Sequence, residues 1–505
     1  MVLACSLAVD PGLASAQALQ SLRSVRVTYN TRKATTNPQG ELKAQIDAVD
    51  KAIAAALQAG DKGEARRQIA KGLVLLAGDA WTPALDFKNS LVLRSERTVI
   101  DSSQPYALRL EQIYEPSIEL SPAITARVAL LKREEPAPPP GTAPRMVLVR
   151  EFGRFDGVGR DLRESPFPIE LDLRSIPDGA YTVEAEVFDA GTSLGAASLG
   201  VVLNKGVDAR LRALEAGASA VPEPVRADVR YPADYIRNVN RGRVRLNTFD
   251  VAAELSSADA ILAASRKGKD PFKGRTGGME RHYVLQGADE VMPYRVYVPT
   301  RYAAARPAPL LIALHGLGGT EDAFFDGYSG VPVKLAEQHG FLMAAPLGYR
   351  VDGFYGAPIG GGQDAADARR LAFSEQDVLE VVRLMRTSYN VDADRIYLIG
   401  HSMGAIGTWH LAAKYPEMWA ALGLFAGAAS PDLAERIRQI PQIVVHGSAD
   451  VTVAPLASRA MVAELRKLGA EVTYIEVPGG THTDVVVPNL PAVFDFLAAH
   501  RKGAR

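Results

Sequence analysis

The stretch that most constrains this 505-residue chain is RIYLIGHSMGAIGTWHLAAKYP, which begins at Arg395. Arg395 to Ile399 reads as a short apolar strand and Met403 to Lys414 as a buried helix. Between them, Gly400-His401-Ser402-Met403-Gly404 leaves room only for a sharp strand-to-helix turn. Such a turn strains the serine backbone, and glycine on either side makes space for it. The serine Oγ is then exposed beside a helix N-terminus, whose amides favour a developing oxyanion. The pentapeptide by itself is weak, and the strand before it and helix after it give it weight.

A serine hydroxyl is a poor nucleophile until a base takes its proton. All eight histidines lie between His282 and His500, so the first 281 residues supply no imidazole. Downstream of Ser402, PQIVVHGSADVTV holds a strand, Gln442 to His446, and then a loop with Asp450. EVTYIEVPGGTHTDVV holds another strand and then a glycine-rich loop with His482. Each candidate follows the C-terminal end of a strand, the edge where sites of open parallel sheets gather. Ser402 as nucleophile, Asp450 as orienting acid and His482 as general base then follow in a known chain order. Asp484 and Asp432 are rival acids. His446 and His500 are rival bases, the first reading as a structural residue at a strand end and the second as part of the terminal helix.

An oxyanion needs two backbone donors. One is expected at Met403, and the other in the loop after Pro309 to Leu314, which runs His315-Gly316-Leu317-Gly318-Gly319. Leu317 is the expected second donor, with Gly316 and Gly318 as alternatives. Gly316, Gly318, His401 and Tyr355 form the expected substrate-binding set, although loop bracing is the commoner role for a histidine placed like His315 or His401. Tyr355 shares its loop with Gly360-Gly361-Gly362, ahead of a helix expected to start near Ser374. There, Ser374-x-x-Asp377 has the form of a helix cap. Trp409 and His410 read as packing residues, and His282 and His339 as structural or surface ones.

Composition narrows the partners. A hydrophobic share of 47% with 23% charged residues is ordinary globular composition, enough for two or three domains. A net charge of -1 argues against nucleic acid. No window approaches the roughly 18 apolar residues of a membrane span. Cys5 is the only cysteine, which excludes internal disulfides and cysteine-ligated zinc. The serine–histidine–acid chemistry calls for no metal and no cofactor. The N-terminal MVLACSLAVDPGLASAQALQ ends in small residues, so residues 1–18 are expected to be an export segment of a periplasmic or secreted protein. No basic residue precedes that segment and Asp10-Pro11 interrupts it, which leaves an ordinary cytoplasmic terminus, or a lipid-modified Cys5, as alternatives.

Along the chain, residues 19–88 read as helical. Leu42, Ile46, Val49, Ile53 and Leu57 fall at three- and four-residue steps, and a second helix, EARRQIAKGLVLLAG, follows. Residues 89–205 carry short strand-like runs separated by turns, with EEPAPPPGTAP as a hairpin loop, and read as a small immunoglobulin-like β-sandwich. Residues 206–278 read as a helical connector. From 279 to 505 strands and helices alternate, implying an α/β architecture with a mostly parallel sheet and helices on both faces. The β-rich segment is a candidate for polymer binding, for homo-oligomer formation or for shading the site.

The stretch from Met279 to Arg505 resembles the polyhydroxybutyrate depolymerase, feruloyl esterase and acetyl xylan esterase branch of the α/β-hydrolases. The resemblance rests on RVYVPTRY, LLIALHGLGG, SEQDVLEVVRLMRTSYNVDADRIYLIGHSMGAIGTW, KYPEMWAALGLFAG, and HGSAD followed by THTD, and covers just under half the chain. It implies an α/β-hydrolase fold and ester hydrolysis through an acyl-enzyme, on a small or polymer-linked ester of short-acyl, feruloyl, acetyl or polyester type. It carries the family's nucleophile, acid and base onto Ser402, Asp450 and His482. Some esterases of this branch place an immunoglobulin-like domain ahead of the catalytic one. One departure is Ala405, where many relatives have a second glycine. The rival readings are a serine peptidase or amidase related to prolyl oligopeptidases and a non-catalytic hydrolase-fold binding module. The β-rich segment, about 115 residues, is too short for a propeller with blades of about 40–45 residues.

Overall fold

The computed structural model describes residues 22–134, 145–244, 246, 249–358 and 365–503. Residues 1–18 with Cys5, all but the first residue of the proline-rich loop, and the Gly360-Gly361-Gly362 run lie outside the described residues. The chain divides into two units, residues 1–216 with 232–257 and residues 217–231 with 258–505.

In the first unit, the two expected helices are Gly40–Gln58 and Lys62–Leu76. Ile46, Val49 and Ile53 from one share a core with Ile69 and Leu76 from the other. Asp61 caps the second helix by accepting from the Glu64 amide. A further helix, Leu22–Thr36, has no counterpart in the apolar periodicity, because LRSVRVTYNTRKATT is rich in β-branched residues of modest helix propensity. Packing holds it instead. Tyr29 is fully buried and donates to Asp50 at 2.8 Å, and its ring fills the space left by Gly72, where any Cβ would overlap it.

Eight strands follow in this unit: β1 (Leu91–Arg94), β2 (Val99–Ile100), β3 (Tyr106–Gln112), β4 (Ile124–Arg133), β5 (Met146–Asp156), β6 (Phe167–Leu171), β7 (Gly179–Asp189) and β8 (Thr192–Leu203). They form two sheets, β1-β3-β6 and β2-β8-β7-β4-β5. Period-two patterning turns Tyr181, Val183, Ala185 and Val187 of β7 inward, into one core with Leu108, Leu110, Ile169 and Leu171 of the other sheet. β4 and β5 pair antiparallel, so the proline-rich segment joins the two arms of a hairpin.

The second unit is built on β9 (Gly277–Leu285), β10 (Glu290–Val298), β11 (Ala308–Leu314), β12 (Leu342–Pro346), β13 (Val391–His401), β14 (Ala421–Phe425), β15 (Gln442–Gly447) and β16 (Val472–Val477). Their order is β16-β15-β14-β13-β11-β12-β10-β9. β9 and β10 join antiparallel, and the other six strands are parallel. Runs such as LLIAL on β11 and IVV on β15 are apolar throughout because both sheet faces are covered. On β11, Leu310, Ile312 and Leu314 enter one core with Val378 and Val381 of helix Ala365–Ser388, while Leu311 and Ala313 enter another with Leu490 and Phe494 of helix Val486–Ala499. The turns after β11, β13, β15 and β16 therefore open at one edge of the sheet. Among the described residues no helix is long and apolar enough to cross a membrane.

The helix expected to start near Ser374 begins at Ala365, so Ser374 and Asp377 are interior residues and not caps. Both are fully buried and hold the loop after β12. Ser374 Oγ accepts from the Tyr355 amide at 3.0 Å, and Asp377 accepts from the Tyr349 amide at 2.7 Å and the Tyr283 hydroxyl at 2.6 Å. Burial pushes the Asp377 carboxyl up to about 6 against the Tyr283 hydroxyl and the amides of Tyr349 and Gly348.

Candidate active site

Ser402 stands between β13 and helix Met403–Lys414 with φ 56° and ψ -117°, a backbone conformation that costs a non-glycine residue about 1–3 kcal/mol. The two flanking glycines make the turn sterically feasible. A Cβ on Gly400 would overlap the Gly404 carbonyl, and a Cβ on Gly404 would overlap that of Leu314. The Ser402 amide is tied to the Phe425 carbonyl at 2.9 Å. Ala405 fits because its neighbour is Gly427, whose missing Cβ would lie 2.6 Å from the Ala405 methyl.

His482 approaches from the loop after β16, with Nε2 2.8 Å from Ser402 Oγ and Nδ1 2.7 Å from Asp450 Oδ2. Nδ1 donates to the carboxylate, which leaves the Nε2 lone pair facing the serine hydroxyl. Asp450 is buried after β15, and its Oδ1 accepts from the amides of Thr452 and Val453 at 2.8 and 2.9 Å. Burial opposes the Asp450 charge, but the His482 bond and the two amides outweigh it and hold the carboxyl below its ordinary value. Gly447 lets the two loops meet, since any Cβ there would overlap the Gly480 carbonyl. A hydroxyl, an imidazole with its free lone pair and a buried carboxylate in line form an arrangement suited to acyl transfer.

Residues 286–462 match the family described as "Putative esterase". The second unit has the α/β-hydrolase fold and is similar in sequence to esterases. "Feruloyl esterase B" of Neurospora crassa is 32% identical over 134 residues, covering 26% of this chain and 43% of that protein. "Probable acetylxylan esterase A" of Neosartorya fischeri is 27% identical over 172 residues, covering 34% and 44%. The chain thus spans less than half the length of these curated relatives. A ferulic acid esterase structure from Anaeromyces mucronatus is 19% identical with a TM-score of 0.37, covering 45% of this chain and 94% of that one.

The other expected site residues of the hydrolase unit fall into two groups. Gly316 lies beside the nucleophile, where a Cβ would be 3.4 Å from that of Ser402. Leu317 follows it and is 61% exposed. The amides of Gly318 and Gly319 are spent on the carbonyls of Val351 and Gly316, and the Leu317 amide is not among these loop bonds. Met403 opens its helix, so its amide is one of the four that a helix leaves unpaired.

His401 and Tyr355, expected at the substrate, are both buried and hydrogen-bonded to neighbouring loops. His401 is buried with both ring nitrogens committed. Nε2 donates to the His482 carbonyl at 3.0 Å, and Nδ1 accepts from the Tyr328 hydroxyl at 2.8 Å. Burial pushes this imidazole down to about 4, so it is neutral at physiological pH. Tyr355 is fully buried at φ 52°, its ring resting against Gly348 and Gly407. Of the rivals, Asp484 shapes the His482 loop by accepting from the Thr481 amide at 2.7 Å, while Asp432 accepts from Ser430 and His500 faces Glu471. Tyr328 was not foreseen. Its loop, FFDGYSG, carries no periodic or motif signal, and only folding brings it to His401.

Proposed function

We propose that the second unit is a serine carboxylic-ester hydrolase, and the observation that carries this is the unbroken line from Ser402 Oγ through His482 to Asp450. Ser402 attacks the ester carbonyl while His482 Nε2 takes its proton. The amides of Met403 and Leu317 receive the oxyanion. His482 then returns the proton to the leaving alcohol, and water, activated by the same imidazole, releases the acid. Asp450 keeps Nδ1 protonated throughout. The similarity to feruloyl and acetylxylan esterases supports acetyl or hydroxycinnamoyl esters on a polymer as the substrate class.

The immunoglobulin-like reading of the β-rich segment is part of the same proposal. Its sheets read as A-B-E (β1-β3-β6) and A′-G-F-C-C′ (β2-β8-β7-β4-β5), and β2 runs parallel to β8 as A′ does to G. Tyr181, near the start of the F-like strand, donates from its hydroxyl to the Pro177 carbonyl at 2.9 Å, which supports a tyrosine corner. Self-association through this unit is supported by edge strand β5, where Met146 to Val149 are four consecutive exposed apolar residues. An export segment at residues 1–18 fits an enzyme whose polymeric substrate lies outside the cell.

The test is turnover of p-nitrophenyl esters of increasing acyl length by the wild type and by Ser402→Ala, with a p-nitroanilide control. Ester turnover that falls by about three orders of magnitude or more in the variant, with the anilide untouched, is expected. Strong anilide cleavage would favour a peptidase, and the absence of Ser402-dependent turnover would refute the proposal.

A further inference from the structure

Among the described residues of the hydrolase unit, the exposed large apolar side chains are Leu317, Val451 (98%) and Leu456 (70%). All three stand at the catalytic edge of the sheet. Leu317 follows β11 and the other two follow β15, while Ser402 follows β13, which lies between them in the order β15-β14-β13-β11. At about 4.8 Å per strand, Val451 is roughly 10 Å from Ser402 across the sheet, on the side away from the oxyanion loop. A lone exposed apolar residue is ordinary, but three confined to one edge mark a contact surface.

The place of Val451 is fixed by the acid of the site. Asp450 meets His482 Nδ1 through Oδ2 at 2.7 Å, and its Oδ1 accepts from the amides of Thr452 and Val453 at 2.8 and 2.9 Å. Val451 is thus the apex of a turn closed by that carboxylate. His446, the remaining rival base, is fully buried beside the turn, with Nε2 3.0 Å from the Val453 carbonyl and Nδ1 2.7 Å from Ser458 Oγ. Leu456 is the second residue of helix Pro455–Lys467. No charged side chain interrupts residues 451–457, and in the His482 loop, residues 478–483, the imidazole is the sole titratable group. A valine held in this way keeps its apolar surface in water until something covers it.

We propose that Val451 and Leu456 seat the alcohol part of the ester and so determine specificity on the leaving-group side. The inference rests on the ester-hydrolase reading of Ser402, His482 and Asp450. Chemistry sets the side. When the tetrahedral intermediate collapses, the bond from carbon to the alcohol oxygen breaks and that oxygen takes the proton held on His482 Nε2. It must therefore come within hydrogen-bond reach of that nitrogen. The carbonyl oxygen points the other way, to the amides of Met403 and Leu317. The alcohol leaves past His482, over the loop that carries Val451 and Leu456. These side chains offer no donor, acceptor or charge. The alcohols they favour are aliphatic or aromatic, which selects, among the acetyl and hydroxycinnamoyl esters proposed above, those with apolar surface next to the scissile bond.

The test varies the alcohol at a constant acyl group, from methyl to hexyl acetate, in the wild type and in the double variant Val451→Thr with Leu456→Gln. Both substitutions keep nearly the same shape and lie on the surface, so folding is not at stake. In the wild type kcat/KM is expected to rise at least about tenfold along the series, and in the variant about threefold or less. The acyl-length dependence of p-nitrophenyl esters, where the alcohol is constant, is expected to keep its slope. An alcohol series that rises equally in both proteins would overturn the proposal, as would a flat wild-type series or an equal loss of slope in the acyl series. A wild type with no Ser402-dependent turnover would sink the ester-hydrolase reading, and methyl NMR with 1-hexanol then reads the surface by itself. Shifts at Val451 and Leu456 support an apolar seat, and their absence refutes it.

Discussion

The hydroxyl of Tyr355 donates to the carbonyl oxygen of His315 across 3.2 Å, joining the loop after β12 to the loop after β11. Two other bonds run between the same loops: His315 Nε2 lies 2.7 Å from the Leu347 carbonyl, and the Gly318 amide donates to Val351 at 2.8 Å. The loop after β12 is itself anchored to helix Ala365–Ser388 by Ser374 and Asp377. The position of Leu317 is thus set by buried residues more than thirty positions further along the chain.

Tyr355→Phe removes one hydrogen bond and keeps the ring that fills the space beside Gly407. Stability should fall by about 1 kcal/mol, with kcat/KM reduced about three- to tenfold and KM little changed. Thermal unfolding together with steady-state kinetics checks both. An unaltered kcat would mean that Tyr355 does not steady the oxyanion loop.

His401 is buried neutral, with its imidazole pushed from 6.5 down to about 4. Between those values the unfolded chain holds the extra proton and the folded chain does not, so the stability His401 contributes is complete above pH 6.5 and lost as pH falls toward 4. His401→Gln keeps a donor for the His482 carbonyl and cannot titrate. Urea unfolding at pH 7 and pH 5 should show a smaller loss of stability in the variant than in the wild type. Equal losses would place the acid sensitivity elsewhere.

Ala405 and Gly427 share one space. Gly427→Ala should destabilise the hydrolase unit by about 1–3 kcal/mol through overpacking. Combining it with Ala405→Gly should recover much of that loss, less about 1 kcal/mol for a glycine in a helix. A double variant no more stable than Gly427→Ala, measured by denaturant unfolding, would show that the two positions are not coupled.

The candidate site was legible where chemistry and local geometry coincide. Glycines at 400 and 404, apolar runs of strand length and polar loops bearing Asp450 and His482 are local patterns. Backbone sterics and the burial of a two-faced sheet suffice to read them. The bounds of helix Leu22–Thr36, inside a stretch that reads only as helical, were not legible, because its own propensity is weak and the gap at Gly72 that receives Tyr29 comes from a different helix. Ser374 and Asp377 imitate a helix start in sequence, and only the packed loop after β12 makes them interior anchors. Tyr355 and His401 carry side chains equally suited to contact a substrate or to brace a loop. Which role each takes depends on burial and on partners distant in sequence, and tertiary structure alone sets these.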